Sequence, residues 1–265
     1  MVYLRRMDLL HIRTSGGVFG FVGQVHGDRR RPALLAVNGA FPAKGYLHDL
    51  VAAFPGANVL VAYTPGMGPP WSAPGGSGAG GLTVPDMTRG LGEAVQRLVG
   101  DDPLVVFAAS TGNLMALGLT LPAIVRFVAA EPFFRTAGLA PFIAFARRYL
   151  ADSPPGTGQE AYLATLFGIH ADGRLDDRDY SHLAGGIRVP ADVIVGSRLD
   201  AWDGEGTPWP SLTSAEDRGR LQANPNVTLH VVGEGTGHDV AVAGAGKALA
   251  HRLLHRALLD AAERC

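Results

Sequence analysis

Ser110 is the residue in this chain best placed to act as a nucleophile. It lies in a run of small side chains, Ala108-Ala109-Ser110-Thr111-Gly112. The apolar Leu104-Val105-Val106-Phe107 precedes that run, and Asn113-Leu114-Met115-Ala116-Leu117 follows it before Pro122. The first stretch reads as a strand buried on both faces of a parallel sheet. The second reads as a helix ended by the proline. A serine in so tight a strand-to-helix turn is lifted clear of the sheet and aimed past a helix N-terminus. A serine that merely caps a helix would occupy a similar place, but strand, turn and helix together favour the nucleophile. A hydroxyl attacks a carbonyl only when a base takes its proton. The base in turn needs an acid that fixes its tautomer and stabilises its charged form.

Candidate bases and acids lie on loops beyond other apolar runs. Of nine histidines, His238 has the strongest case. It follows the run Val227 to Val232 through a glycine-rich loop ending at Gly237, and a helical stretch from Val240 to Leu259 comes next. His11, His26 and His230 fall inside strand-like runs. His251 and His255 are four apart on the last helix, a spacing that suits a metal, but no glutamate or third ligand accompanies them, so they read as a solvated face. Asp200 follows the run Ala191 to Val195 after the short segment Gly196-Ser197-Arg198-Leu199. Asp203 is its nearest substitute, and Glu131 follows the run Ala123 to Ala130 directly.

The elements that must position these residues alternate along the chain. Leu9 to Thr14 and Val18 to His26, joined by Ser15-Gly16-Gly17, read as an antiparallel hairpin. Ala33 to Val37 and Asn58 to Tyr63 are further buried strands, with a helix from Tyr46 to Phe54 between them and another from Pro85 or Asp86 to Val99. Residues 132–185 change character. Phe142, Phe145, Ala146 and Tyr149 share one helical face, and Tyr162, Leu163, Leu166 and Phe167 share a second. These are expected to form an inserted helical lid over residues 1–131 and 186–265. A last helix before the closing strand is expected near Ser214 to Leu221.

The whole pattern resembles the α/β-hydrolase family. Its nucleophile elbow is Gly-x-Ser-x-Gly; here Ala108 replaces the first glycine, a mild change because the requirement is steric, and Gly112 keeps the second. The resemblance implies an α/β fold with a mostly parallel central sheet, an antiparallel second strand and helices on both faces. It implies the chain order nucleophile, acid, histidine, hence Ser110, Asp200 and His238, with Glu131 standing where some relatives place the acid. It implies an oxyanion hole made by the backbone N–H of Thr111 and one from the loop after Val37, supplied by Phe41 or Ala40. That loop carries Asn38-Gly39 where the family often has His-Gly, and Tyr63 stands where many relatives carry an aspartate ahead of Pro-Gly. Asn38 is conservative enough to keep the turn; the departure at Tyr63 leaves an acyl hydrolase in place but weakens any narrower assignment.

Composition excludes several other functions. Lys and Arg total 23 against 24 Asp and Glu, so nothing favours nucleic acid or an anionic membrane as partner. The single cysteine, Cys265, forms no internal disulfide. Arg5 and Arg6 are followed by Met7 and Asp8, which is not the pattern of a leader. The apolar region Leu114 to Ala130 contains Pro122 and Arg126 and does not read as a membrane span. Gly76, Gly78 and Gly81 match Gly-x-Gly-x-x-Gly, but prolines precede them in place of a strand, so no dinucleotide is expected. The expectation is a cytoplasmic serine hydrolase that cleaves an ester, thioester or related acyl bond of a small, partly apolar substrate through an acyl-enzyme, with no cofactor or metal. Phe142, Phe145, Tyr162 and Phe167 are its candidate substrate contacts. Two alternatives stay open: acyl transfer or carbon–carbon bond cleavage by the same triad, and a non-catalytic binding protein of the same fold. Oligomeric state is left open.

Overall fold

The computed structural model describes residues 9–26, 31–39, 46–65, 82–139, 142–144, 159–169, 174–199, 209–233, 235–241 and 244–265. The glycine motif at Gly76 to Gly81 lies outside them, as do Ala40, Phe41, Phe145, Asp200 and Asp203.

The apolar runs become strands β1 (Leu9–Thr14), β2 (Gly17–Gln24), β3 (Ala33–Val37), β4 (Asn58–Tyr63), β5 (Leu104–Ala109), β6 (Ile124–Ala130), β7 (Ala191–Gly196) and β8 (Val227–Val232). They form one eight-stranded sheet in the order β1-β2-β4-β3-β5-β6-β7-β8. Strand β2 runs antiparallel to β1 and β4. All other neighbours are parallel. The described helices are α1 (Tyr46–Ala53), α2 (Val84–Val99), α3 (Gly112–Ala116), α4 (Gln159–Phe167), α5 (His182–Gly186), α6 (Ala215–Gln222) and α7 (Gly244–Ala262).

Every residue of β3, β4, β5 and β7 is buried, because helices cover both faces of the sheet. Alternate residues serve the two faces. Leu35, Val37, Leu60, Val106, Ala108 and Val193 pack with Met87, Leu91 and Val95 of α2. Leu34, Ala36, Val61, Val105, Phe107 and Ile194 pack with Leu47 and Leu50 of α1 and Leu254 and Ala257 of α7. Thr83 caps α2: its hydroxyl accepts from Asp86 N–H while the Asp86 carboxylate takes the Thr83 N–H.

Two boundaries differ from the sequence reading. The long closing helix starts at Gly244 and not at Val240. Residues 238–241 form a turn in which Val240 and Ala241 are buried in the core on the α7 side. The elbow helix is short, ending at Ala116. Of the expected lid, α4 buries Leu163, Leu166 and Phe167 completely. Residues 142–144 are helical, and the rest of that first face lies outside the described residues.

A charged cluster ties β6, β7 and β8 together. Asp192 on β7 is buried and accepts from Arg126 on β6, with Nε and Nη2 each 2.8 Å from Oδ2. Its Oδ1 accepts from His230 Nε2 on β8 at 2.9 Å. Removing one partner of a buried charge pair costs more than the pair contributes, since the other charge is left without compensation. Arg126 keeps some exposure and a longer contact to Asp260 at 3.8 Å, which reduces the penalty. Asp192→Ala is expected to lower stability by about 2–3 kcal/mol, read as a shift in the urea midpoint at unchanged slope.

Candidate active site

The C-terminal ends of the parallel strands bring the candidates to one edge of the sheet, where ligands bind in open α/β folds. Ser110 follows β5 and Glu131 follows β6, its immediate neighbour. Ser110 has φ of 53° and Glu131 has φ of 52°; among the described residues they are the two non-glycine positions with left-handed backbone. Such a conformation costs about 1–3 kcal/mol and persists where the surroundings enforce it, often at functional sites.

The enforcement is visible at Ser110. Its N–H donates to Ala130 O at 3.0 Å, continuing the β5–β6 ladder past the strand end. Its carbonyl accepts from Asn113 N–H and from Asn113 Nδ2, both at 3.0 Å. The same Nδ2 donates to Ala130 O at 2.9 Å, so one buried side chain clamps the elbow to the end of β6. Gly112 is required by close packing: a β-carbon there would fall 2.6 Å from Val37 O and 2.7 Å from Asn38 O. The loop leaving β3 runs beside Ser110, for a β-carbon on Gly39 would lie 3.3 Å from Ser110 Cβ and 3.8 Å from its Oγ. Thr111, the residue after Ser110, is fully buried at the start of α3.

Glu131 is almost wholly buried, and its carboxylate is held by named donors. Oε1 accepts from Gly196 N–H at 2.6 Å, and Oε2 from Leu212 N–H at 2.7 Å. Ser211 Oγ lies 2.9 and 3.0 Å from the two oxygens. Oε2 also faces His238 Nδ1 at 3.7 Å. Arg218 lies close enough for the Glu131 charge to favour its guanidinium, against a burial that pushes its pKa down.

His238 is mostly buried, and its Nδ1 is without a hydrogen-bond partner. At 3.7 Å the contact with Glu131 is too long for a hydrogen bond, yet Oε2 is the carboxylate oxygen that faces the ring. Catalytic hydrogen bonds in a free site are often long and tighten only around substrate. The histidine backbone is fixed by its N–H donating to Trp209 O at 3.0 Å. A β-carbon at Gly237 would land 1.6 Å from that same Trp209 oxygen, so only glycine allows the strap to pass there. The His238 ring stands against Phe142 and Trp209, with centroids 6.3 and 6.4 Å away.

Buried polar atoms normally find partners. Of the five side-chain atoms among the described residues that do not, four gather at this edge: Asn38 Nδ2, Thr64 Oγ1, Asn113 Oδ1 and His238 Nδ1. Tyr63 ends β4 nearby, and burial pushes its phenol up to about 12.

The other candidates are distributed as follows. Phe142 reaches His238, while Phe167 lies behind it in the core, tilted against Phe142 and stacked on Phe133. Tyr162 belongs to α4, but its side chain lies outside the described residues. His251 packs against Phe54, and burial pushes its imidazole pKa down. Among the described residues no group of three or more His, Cys, Asp or Glu is placed to hold a metal ion. No described helix is long and apolar enough to cross a membrane. Sequence reasoning missed Asn113, Trp209 and Ser211 altogether.

No family model and no curated protein matches the sequence. Solved structures do resemble the fold. Carboxylesterase CesB from Bacillus subtilis is similar with a TM-score of 0.63 at 13% identity, over 95% of this chain and 92% of that one. The enol-lactonase from Burkholderia xenovorans is similar at 0.63 and 16%, over 94% and 100%. A thioesterase domain from the curacin biosynthetic pathway is similar at 0.58 and 15%, over 94% and 100%. With its eight-stranded, mostly parallel sheet, the chain has the α/β-hydrolase fold.

Proposed function

We propose that the protein is a serine hydrolase that cleaves an ester, thioester or related acyl bond through an acyl-enzyme, with Ser110 as nucleophile, His238 as base and Glu131 as acid. The observation that carries this reading is the unpartnered Nδ1 of His238 beside a buried carboxylate that three other groups already hold in place. With Nδ1 protonated toward Glu131, Nε2 carries the lone pair and takes the Ser110 proton as Oγ attacks the acyl carbon. The alkoxide of the tetrahedral intermediate is received by the Thr111 N–H and by an N–H of the loop after Val37, where Ala40 or Phe41 stands. His238 returns the proton to the leaving group, and water repeats the cycle on the acyl-enzyme. Neighbours with esterase, lactonase and thioesterase names support an acyl substrate.

Phe142 supports a partly apolar substrate because it stands against the histidine. In this reading residues 132–185 cover the site, Phe145 and Tyr162 shape the same pocket, and Phe167 backs Phe142 from the core. The test is a panel of p-nitrophenyl esters of graded chain length together with acyl-thioesters. Turnover of at least one, with a burst of p-nitrophenol where deacylation is slow, is the expected outcome. No turnover of any member, with no covalent capture by a fluorophosphonate, would favour a binding protein on this fold.

A further inference from the structure

We infer that Ser211 is a positioning residue of this reaction: its hydroxyl holds the Glu131 carboxylate so that Oε2 stays turned toward His238. The inference rests on the reading of Glu131 as the acid. Ser211 is buried, and its oxygen accepts from Thr213 N–H at 3.3 Å. Its single hydrogen goes to the carboxylate, whose oxygens are 2.9 and 3.0 Å away and nearer than Thr213 O at 3.5 Å. The segment is anchored by Ser211 N–H donating to Arg198 O at 2.8 Å.

The same short strap holds the other member of the pair. Trp209 O accepts the His238 N–H, and Leu212 N–H donates to Glu131 Oε2. Residues 209–212 therefore grip the histidine at one end and the acid at the other, and set the gap between them. Without the Ser211 hydroxyl, Glu131 keeps the two backbone donors, one on each oxygen. Those donors lie on separate segments, at the end of β7 and in the strap. Among the described residues the hydroxyl is the one donor in reach of both oxygens, so it resists rotation of the carboxylate plane.

The test is a double-mutant cycle with Ser211→Ala and Glu131→Gln on p-nitrophenyl acetate, or on the best p-nitrophenyl ester of the panel. Groups that orient a catalytic residue from behind typically matter by about 10–100-fold. Ser211→Ala is expected to lower kcat by about that factor with KM within about twofold, and to have less than a twofold effect once Glu131 is already Gln. Ser211→Cys keeps the shape with a weaker donor and is expected to fall between wild type and Ser211→Ala. It also covers the case in which the alanine variant fails to fold. A crippled Glu131→Gln beside a Ser211→Ala of wild-type kcat overturns the role of Ser211 alone. Equal losses from Ser211→Ala in both backgrounds also overturn it, since the serine would then act through the fold. A wild-type kcat for Glu131→Gln overturns the acid and the positioning role together.

Discussion

Ser110→Ala is expected to abolish ester hydrolysis, with kcat falling by about 10⁴–10⁶-fold. The size follows from the mechanism. Without the hydroxyl no acyl-enzyme forms, and only binding and the oxyanion donors remain to help water attack. The fold should survive. Alanine keeps a β-carbon at φ of 53°, so backbone strain is neither added nor relieved. The backbone bonds that hold the turn, Ser110 N–H to Ala130 O and Asn113 N–H to Ser110 O, do not involve the lost oxygen. Steady-state kinetics and a melting curve on the same preparation check both halves. A variant with unchanged melting and more than about a tenth of wild-type kcat would place the nucleophile elsewhere.

Glu131→Gln is expected to lower kcat by about 10³–10⁴-fold, the effect of replacing a triad acid by its amide, which favours the wrong histidine tautomer. Here the amide brings a second penalty. Gly196 N–H, Leu212 N–H and the Ser211 hydroxyl all point at the carboxylate oxygens. One amide NH₂ must then face a donor, which costs about 1–3 kcal/mol of stability. Activity therefore needs to be measured well below the melting temperature of the variant. Asp200→Asn and Asp203→Asn are expected to stay within about tenfold of wild type, about 1.4 kcal/mol in barrier. A crippled Asp200→Asn beside a near-normal Glu131→Gln would return the acid to the loop after β7.

The contrast between Asp200 and Glu131 shows what a linear reading reaches. The sheet was legible because its strands are short apolar runs punctuated by glycine, proline and polar loops, and full burial leaves them little choice of residue. The setting of Ser110 was legible for the same reason: strand, small turn and helix are all local. Both carboxylates also follow apolar strands. Local pattern favours Asp200 because it ends a short segment just after a strand. What distinguishes Glu131 in space is its backbone at φ of 52° and donors from Gly196, Ser211 and Leu212, which are 65, 80 and 81 positions away. No local pattern announces bonds of that span. Asn113 was hidden in a similar way, since its clamp on Ala130 joins two strands through one side chain in a run read only as helix. Trp209 and Ser211 lie outside any apolar run, yet their partners are His238 and Glu131.

The most direct test of the account is to identify the residue that a fluorophosphonate modifies, by mass spectrometry of peptides from the labelled wild-type protein. The expected result is one adduct per chain, on Ser110, formed much more slowly in Glu131→Gln and absent in Ser110→Ala. An adduct on any other serine, or rapid labelling of Ser110→Ala, would contradict it.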